Sequence, residues 1–146
     1  MQLLIKKLDP RAKIPQRATS GSAGYDLYAL LEHSVRVEPG KRVCIPTGIA
    51  IALPSADYAA LVYARSGLAT KHGIIPANCV GVIDSDYRGE VLVNLANIGD
   101  EAYEIAPFER VAQLIVTPVV LPELVETDVL DETERGEGGF GSTGKG

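Results

Sequence analysis

Four short stretches of the 146-residue chain carry side chains able to act on an anion or on water. The run Gly81-Val82-Ile83-Asp84-Ser85-Asp86-Tyr87-Arg88-Gly89-Glu90 leads from an apolar strand end into a turn with two carboxylates and an aromatic ring. Asp84 follows Val82 and Ile83 directly, which puts it at the wall of a pocket, where a carboxylate can take a proton from water as general base. Asp86 and Arg88 read as hairpin-tip residues turned to solvent or to local partners. Arg65 precedes Ser66, the expected N-cap of a short helix that runs to His72 and stops at Gly73. Backbone N–H groups, the positive end of a helix dipole and a guanidinium would there converge on one anion, unless the stretch is only a capped turn. Asp26 lies inside the apolar stretch Ala23 to Ala29. A carboxylate buried there needs a cation, either in a structural salt bridge or as a metal ion.

The tail holds the fourth stretch. From Gly139 to Lys145 it has the glycine spacing and lysine of a phosphate-binding loop, but Gly146 stands where Ser or Thr is required and no helix follows, so that motif is rejected. Flexible backbone N–H groups with Arg135, Ser142 and Thr143 can still cradle phosphate. Phe140, alone among glycines, suits a movable flap with one stacking anchor.

The elements that must position these residues are strands. Helical periodicity is almost absent, while alternating or short apolar runs recur between Gly and Pro, as in an all-β domain. Strands are expected at Leu3–Leu8, Ser34–Val37, Lys41–Ile45, Gly48–Leu53, Tyr58–Ala64, Glu90–Asn97, Ala102–Ile105 and Val111–Val120, with a further strand through Asp26. The pattern favours a jelly-roll-like β-barrel with one short helix. Residues 1–122 form that domain, and residues 123–146, acidic and then glycine-rich, form a flexible arm. Fully extended, 24 residues reach about 80 Å, far enough to cross onto a neighbouring subunit.

Composition bounds the function. The net charge is −5, which argues against a nucleic-acid polymer as partner. All of that excess lies beyond residue 122, where seven acids face two bases, while the first 122 residues balance at twelve of each. No apolar run is long enough to span a membrane, nothing at the N-terminus resembles a targeting signal, and Cys44 and Cys79 read as buried small hydrophobes in a reducing cytoplasm.

Five segments, Ala23–Ala29, Arg65–Ala69, Gly81–Glu90, Glu109–Ile115 and Arg135–Gly144, resemble in order and spacing the five motifs of the trimeric deoxyuridine triphosphate nucleotidohydrolases (dUTPases). The resemblance implies a jelly-roll that assembles as a homotrimer with active sites shared between subunits, hydrolysing dUTP to dUMP and pyrophosphate. That reaction keeps uracil out of DNA and supplies dUMP for thymidylate synthesis. Residue by residue, it implies that Asp84 activates water for in-line attack on the α-phosphorus. Arg65, Ser66, Gly67 and Gln113 would hold the α and β phosphates, and Asp26 would hold Mg²⁺ through water. Base selection would fall to the hairpin Asn78–Tyr87, with Asn78, Gly81, Val82 and Ile83 against the uracil and Tyr87 under the deoxyribose, and Leu92 would also bind substrate. Arg135, Ser142 and Thr143 would take the γ-phosphate, with Phe140 and Gly141 over the base. A deoxycytidine triphosphate deaminase of the same fold, or a catalytically silent β-trimer that binds nucleotide, are the competing assignments.

Overall fold

In the computed structural model of the protein, residues 1–139 are described. Phe140, Gly141, Ser142 and Thr143 lie outside the described residues. Short alternating runs punctuated by Gly and Pro build ten strands and one helix: β1 (Leu4–Lys7), β2 (Tyr25–Tyr28), β3 (Val35–Val37), β4 (Arg42–Ala52), β5 (Tyr58–Tyr63), α1 (Ser66–His72), β6 (Ile74–Pro76), β7 (Gly81–Ile83), β8 (Glu90–Asn97), β9 (Tyr103–Ile105) and β10 (Arg110–Pro118). One sheet has the order β1-β4-β8-β6, a second β2-β10-β5-β7, and β3 pairs with β9. All pairings between strands are antiparallel, and the architecture is the expected β jelly-roll.

Alternation along β8 shows how sequence makes the core. Val91, Val93, Leu95 and Asn97 point inward and are buried, while Leu92 and Asn94 point out. They meet Leu27, Ile45, Ile49, Ile105 and Leu114, all fully buried. Burying each such apolar side chain contributes roughly 1.5–3 kcal/mol of stabilisation.

Several expectations change. Lys41–Ile45 and Gly48–Leu53 belong to one strand, β4, whose ladder to β8 shifts register between Pro46 and Ala50. A proline is tolerated at such an irregularity because the ladder does not need its missing N–H there. Ile74–Pro76 is a strand that no run of alternation announces. Both cysteines are exposed rather than buried: Cys44 stands on the outward side of β4, between Val43 and buried Ile45, and Cys79 occupies a turn with φ 62°. The N-cap of α1 is Arg65, extended and without a side-chain cap bond, so Ser66 is the first helical residue and not the cap. Gly73 does end the helix, in the left-handed conformation. Among the described residues no helix is long and apolar enough to cross a membrane.

The far end of α1 is fixed by two contacts. Asn97, 1% exposed, donates from Nδ2 to the carbonyls of Val37 (2.9 Å) and Glu101 (2.8 Å) and accepts the Gly99 N–H at 2.9 Å. Gly99 in turn lies against the His72 carbonyl at the helix end. The His72 ring packs on Tyr103, 4.6 Å between centroids, and Tyr103 donates its hydroxyl to Glu109. Burial, then that bond to Glu109, pushes the Tyr103 hydroxyl up to about 12.

Asn97→Leu should cost about 3 kcal/mol, since it leaves buried carbonyls without donors. Denaturant unfolding at fixed protein concentration checks this, with a lowered midpoint at unchanged slope as the expected result.

Candidate active site

Pairing of β2, β10 and β5 places Asp26 opposite Gln113 and Gln113 opposite Tyr63, a row across three strands. Arg65, two residues beyond Tyr63, turns back over that row. Its Nε donates to Asp26 Oδ1 at 2.9 Å, Arg110 Nη1 donates to Asp26 Oδ2 at 3.1 Å, and Arg65 Nη1 reaches the Arg110 carbonyl at 3.1 Å. The Asp26 side chain is 14% exposed, Arg65 27% and Arg110 48%. One carboxylate between two guanidiniums leaves the cluster with a net positive charge, facing a cavity of about 160 Å³. Ser66, Gly67, Gly24 and Gln113 line the same cavity. Gln113 Nε2 donates to the Ala64 carbonyl at 2.9 Å, and its amide oxygen sits where a β-carbon on Gly24 would come within 2.4 Å. With Arg65 as N-cap and no side chain spent on capping, the Ser66 hydroxyl and the first N–H groups of α1 remain available to a ligand. Every part of this arrangement suits an anion with several oxygens.

A second cavity, about 210 Å³, runs along the β5–β7 pair and is lined by Val62, Pro76, Asn78, Gly81, Val82, Ile83, Asp84, Tyr87 and residues 90–94. β7 is an edge strand, paired only with β5. Its outward N–H and C=O groups are therefore free to pair with a planar ligand edge. A turn closed by the Tyr87 N–H on the Asp84 carbonyl (3.2 Å) brings exposed Asp84 and Tyr87 to the lining of the same cavity. Arg88 is tied to the Ser85 and Tyr87 carbonyls at 2.7 and 2.9 Å, the local pairing expected of it.

The two cavities share no lining residue. The register explains why: Val62 pairs with Gly81 and Ala60 with Ile83, so Asp84 continues toward Ala59 while Arg65 lies beyond Tyr63. From Ala59 to Tyr63 alone the strand rises on the order of 13 Å, and Arg65 lies two residues further on. Arg65, Ser66, Gly67, Gln113 and Asp26 are thus brought together, Asp84, Tyr87, Asn78, Gly81–Ile83 and Leu92 are brought together, and the groups stay apart within one chain. Arg135 is exposed beyond β10, on a stretch with no strand or helix among residues 119–139. Along it Val120, Leu121, Leu124, Val125, Val129 and Leu130 are all at least 72% exposed, an apolar stretch left uncovered by the described residues.

Sequence reasoning missed Arg110 and Gly24. A charged residue opening the apolar run Val111–Val116 was the available signal for Arg110; for Gly24 there was none, because its role is the room it leaves for Gln113. Asp26 meets the salt-bridge alternative. Each of its oxygens accepts one bond from an arginine and keeps a second acceptor site. Among the described residues no group of three or more His, Cys, Asp or Glu side chains could hold a metal. This donor set fits a hydrated divalent cation held chiefly by a phosphate ligand, with Asp26 reached through water.

Comparison with known proteins gives one family. The family model described as dUTPase matches residues 10–144. A deoxyuridine 5'-triphosphate nucleotidohydrolase of Paraburkholderia phymatum is 50% identical over 147 residues, covering 99% of both chains. One of Desulfitobacterium hafniense is 54% identical over 136 residues, 93% of this chain and 90% of that one. Among solved structures, a dUTPase of Staphylococcus bacteriophage 80alpha with dUpNHpp superposes with a TM-score of 0.87 at 29% identity, covering 98% of each. A phage phi11 dUTPase described with a structural Mg(II) ion shares the fold at TM-score 0.80 and 24% identity, covering 90% of this chain and 100% of that one.

Asp26→Asn should destabilise the fold by about 1–3 kcal/mol, because it leaves two neighbouring guanidiniums without their counter-charge. Asp84→Asn, at an exposed turn, should stay within about 0.5 kcal/mol of the wild type. Denaturant midpoints of the two variants, measured side by side, check the contrast.

Proposed function

The chain belongs to the dUTPase family and hydrolyses dUTP to dUMP and pyrophosphate; we propose that it does so at a composite site, joining the Asp84 cavity of one subunit to the Arg65 cavity of another within a homotrimer. What carries this reading is the separation of Asp84 from Arg65 along β5, since water attacking the α-phosphorus must touch the base while that phosphate touches the arginine. A second copy resolves the conflict.

In this reading Asp84 accepts a proton from water, the water oxygen bonds to the α-phosphorus, and the bond to the α–β bridging oxygen breaks, releasing pyrophosphate. Arg65, Ser66, Gly67 and Gln113 hold the α and β phosphates, and their fixed donors meet the charge that develops there. Arg110, with Asp26, keeps Arg65 in its place. A bound Mg²⁺, reached by Asp26 through water, would offset phosphate charge and so admit the attacking oxygen. The edge-strand groups of Gly81, Val82 and Ile83, with Asn78 and Leu92, take the uracil. Cytosine reverses the donor and acceptor pattern and would leave those groups unpaired. Tyr87 lies under the deoxyribose. Arg135 takes the γ-phosphate together with Ser142 and Thr143, and Phe140 and Gly141 cover the base. The exposed apolar side chains from Val120 to Leu130 support an arm seated on a neighbouring subunit. We place the reaction in the cytoplasm, where two exposed free thiols stay reduced.

Pyrophosphate release should be fast from dUTP and slow from dTTP, dCTP and UTP, and should fall when Mg²⁺ is removed. Asp84→Asn should lower kcat by about 10³-fold, the range of a lost general base, while a non-hydrolysable dUTP analogue still binds. Near-normal turnover by that variant would remove Asp84 from its role, and ammonia released from dCTP would indicate a deaminase instead.

A further inference from the structure

We propose that Gly89 is a specificity-determining position: its missing side chain seats the Tyr87 ring, and that seat sets the rejection of ribonucleotides. The inference rests on the assignment of Tyr87 to the sugar of the bound nucleotide. A β-carbon added at Gly89 would fall 2.4 Å from the Tyr87 hydroxyl oxygen, 2.6 Å from Cζ and 3.0 Å from Cε2. Its three nearest neighbours all belong to that one ring. Carbon atoms in ordinary contact stay about 3.5–4.0 Å apart, so ring and side chain cannot coexist here.

The backbone gives no competing reason for glycine at this position. Gly40, Gly48, Gly73 and Gly136 adopt positive φ and Gly89 does not. Alanine is therefore conformationally acceptable at residue 89, and what it lacks is space.

The seat has three parts. The Asp84–Tyr87 turn fixes the Tyr87 backbone at 3.2 Å. The hydroxyl donates to the Glu90 carbonyl at 3.0 Å, a bond that requires the ring to fold back across residue 89. Gly89 lets the ring do so. The opposite side of the ring remains open, with Tyr87 45% exposed at the mouth of the cavity that Asp84 also lines. A floor that separates a deoxyribose from a ribose must be placed to within a fraction of one hydroxyl group. Because the clashing atoms are the far end of an exposed side chain, a methyl group at residue 89 moves the ring and leaves the hairpin in place. The phenol end then leaves the Glu90 carbonyl, the floor tilts outward, and a space for a 2′-hydroxyl opens.

The test uses the full chain and two imido-bridged analogues, one of dUTP and one of UTP, with affinities measured by calorimetry. Wild type should prefer the deoxy analogue, and Gly89→Ala should fold normally yet lose about tenfold of that preference. In a Tyr87→Ala background the same substitution should change the preference little, because no ring is left to displace. A preference unchanged in Gly89→Ala, an equal loss in both backgrounds, or a Gly89→Ala chain that fails to fold would each overturn the proposal while leaving the dUTP site intact. A wild type that does not distinguish the two analogues would instead refute the assignment of Tyr87 to the sugar, and the proposal with it.

Discussion

The antiparallel ladder between β5 and β7 governs how this protein can work. Val62 faces Gly81 and Ala60 faces Ile83, so the two strands carry Arg65 and Asp84 away from each other. Changing that would require a slip in register, and because β10 holds β5 on its other side, a slip of one residue would turn Ile83 of β7, now packed against the core, to the opposite face. Core packing thus enforces the separation. β7 also remains an edge, which frees its backbone for a planar ligand edge but leaves exposed Val82 and, across the cavity, exposed Leu92 with no cover among the described residues. In the proposed site the same ladder shapes the base pocket and keeps it apart from the phosphate-binding residues of its own chain, and assembly would supply the missing half.

Charge follows the same division of labour. The body is balanced and the acidic excess belongs to the arm, so bulk charge speaks against a long polyanion while local charge favours a small one. Beside the Arg65 cavity two guanidiniums share Asp26, which holds Arg65 without neutralising the cluster. Precise placement of a cation is worth more than its number when the task is to stabilise charge that develops at one phosphorus. In the proposed assembly the acids before Arg135 would keep residues 123–134 solvated, while the exposed leucines and valines among them would supply the apolar surface for settling on a neighbour.

Strong patterns were legible in the sequence. Glu90–Asn97 alternates cleanly and forms a strand with those bounds. Arg65, Ser66, Gly67, Gln113 and Asp26 line one cavity and Asp84 and Tyr87 another, while Arg135 lines neither. Three residues, as in Ile74–Pro76, are too few for a period to register, and Pro46 with Gly48 punctuates a strand that its core contacts hold together. Cys44 was judged by residue type, but the alternation of β4 decides its face. The partners of Asp26 lie 39 and 84 residues away in sequence, so no local pattern could choose between a salt bridge and a metal. Gly24 and Gly89 act through space they leave empty, which a sequence does not display.

Mixing two inactive chains tests the composite site most directly. Arg65→Ala disables the phosphate half and Asp84→Asn the catalytic half, so each homotrimer should be nearly silent. Co-refolded in equal amounts, they should recover about a quarter of wild-type pyrophosphate release, the fraction of sites that draw an intact half from each of two subunits. Trimers that mix, as shown by mass, yet stay silent would mean that Asp84 and Arg65 serve from the same chain, and the composite site would be refuted.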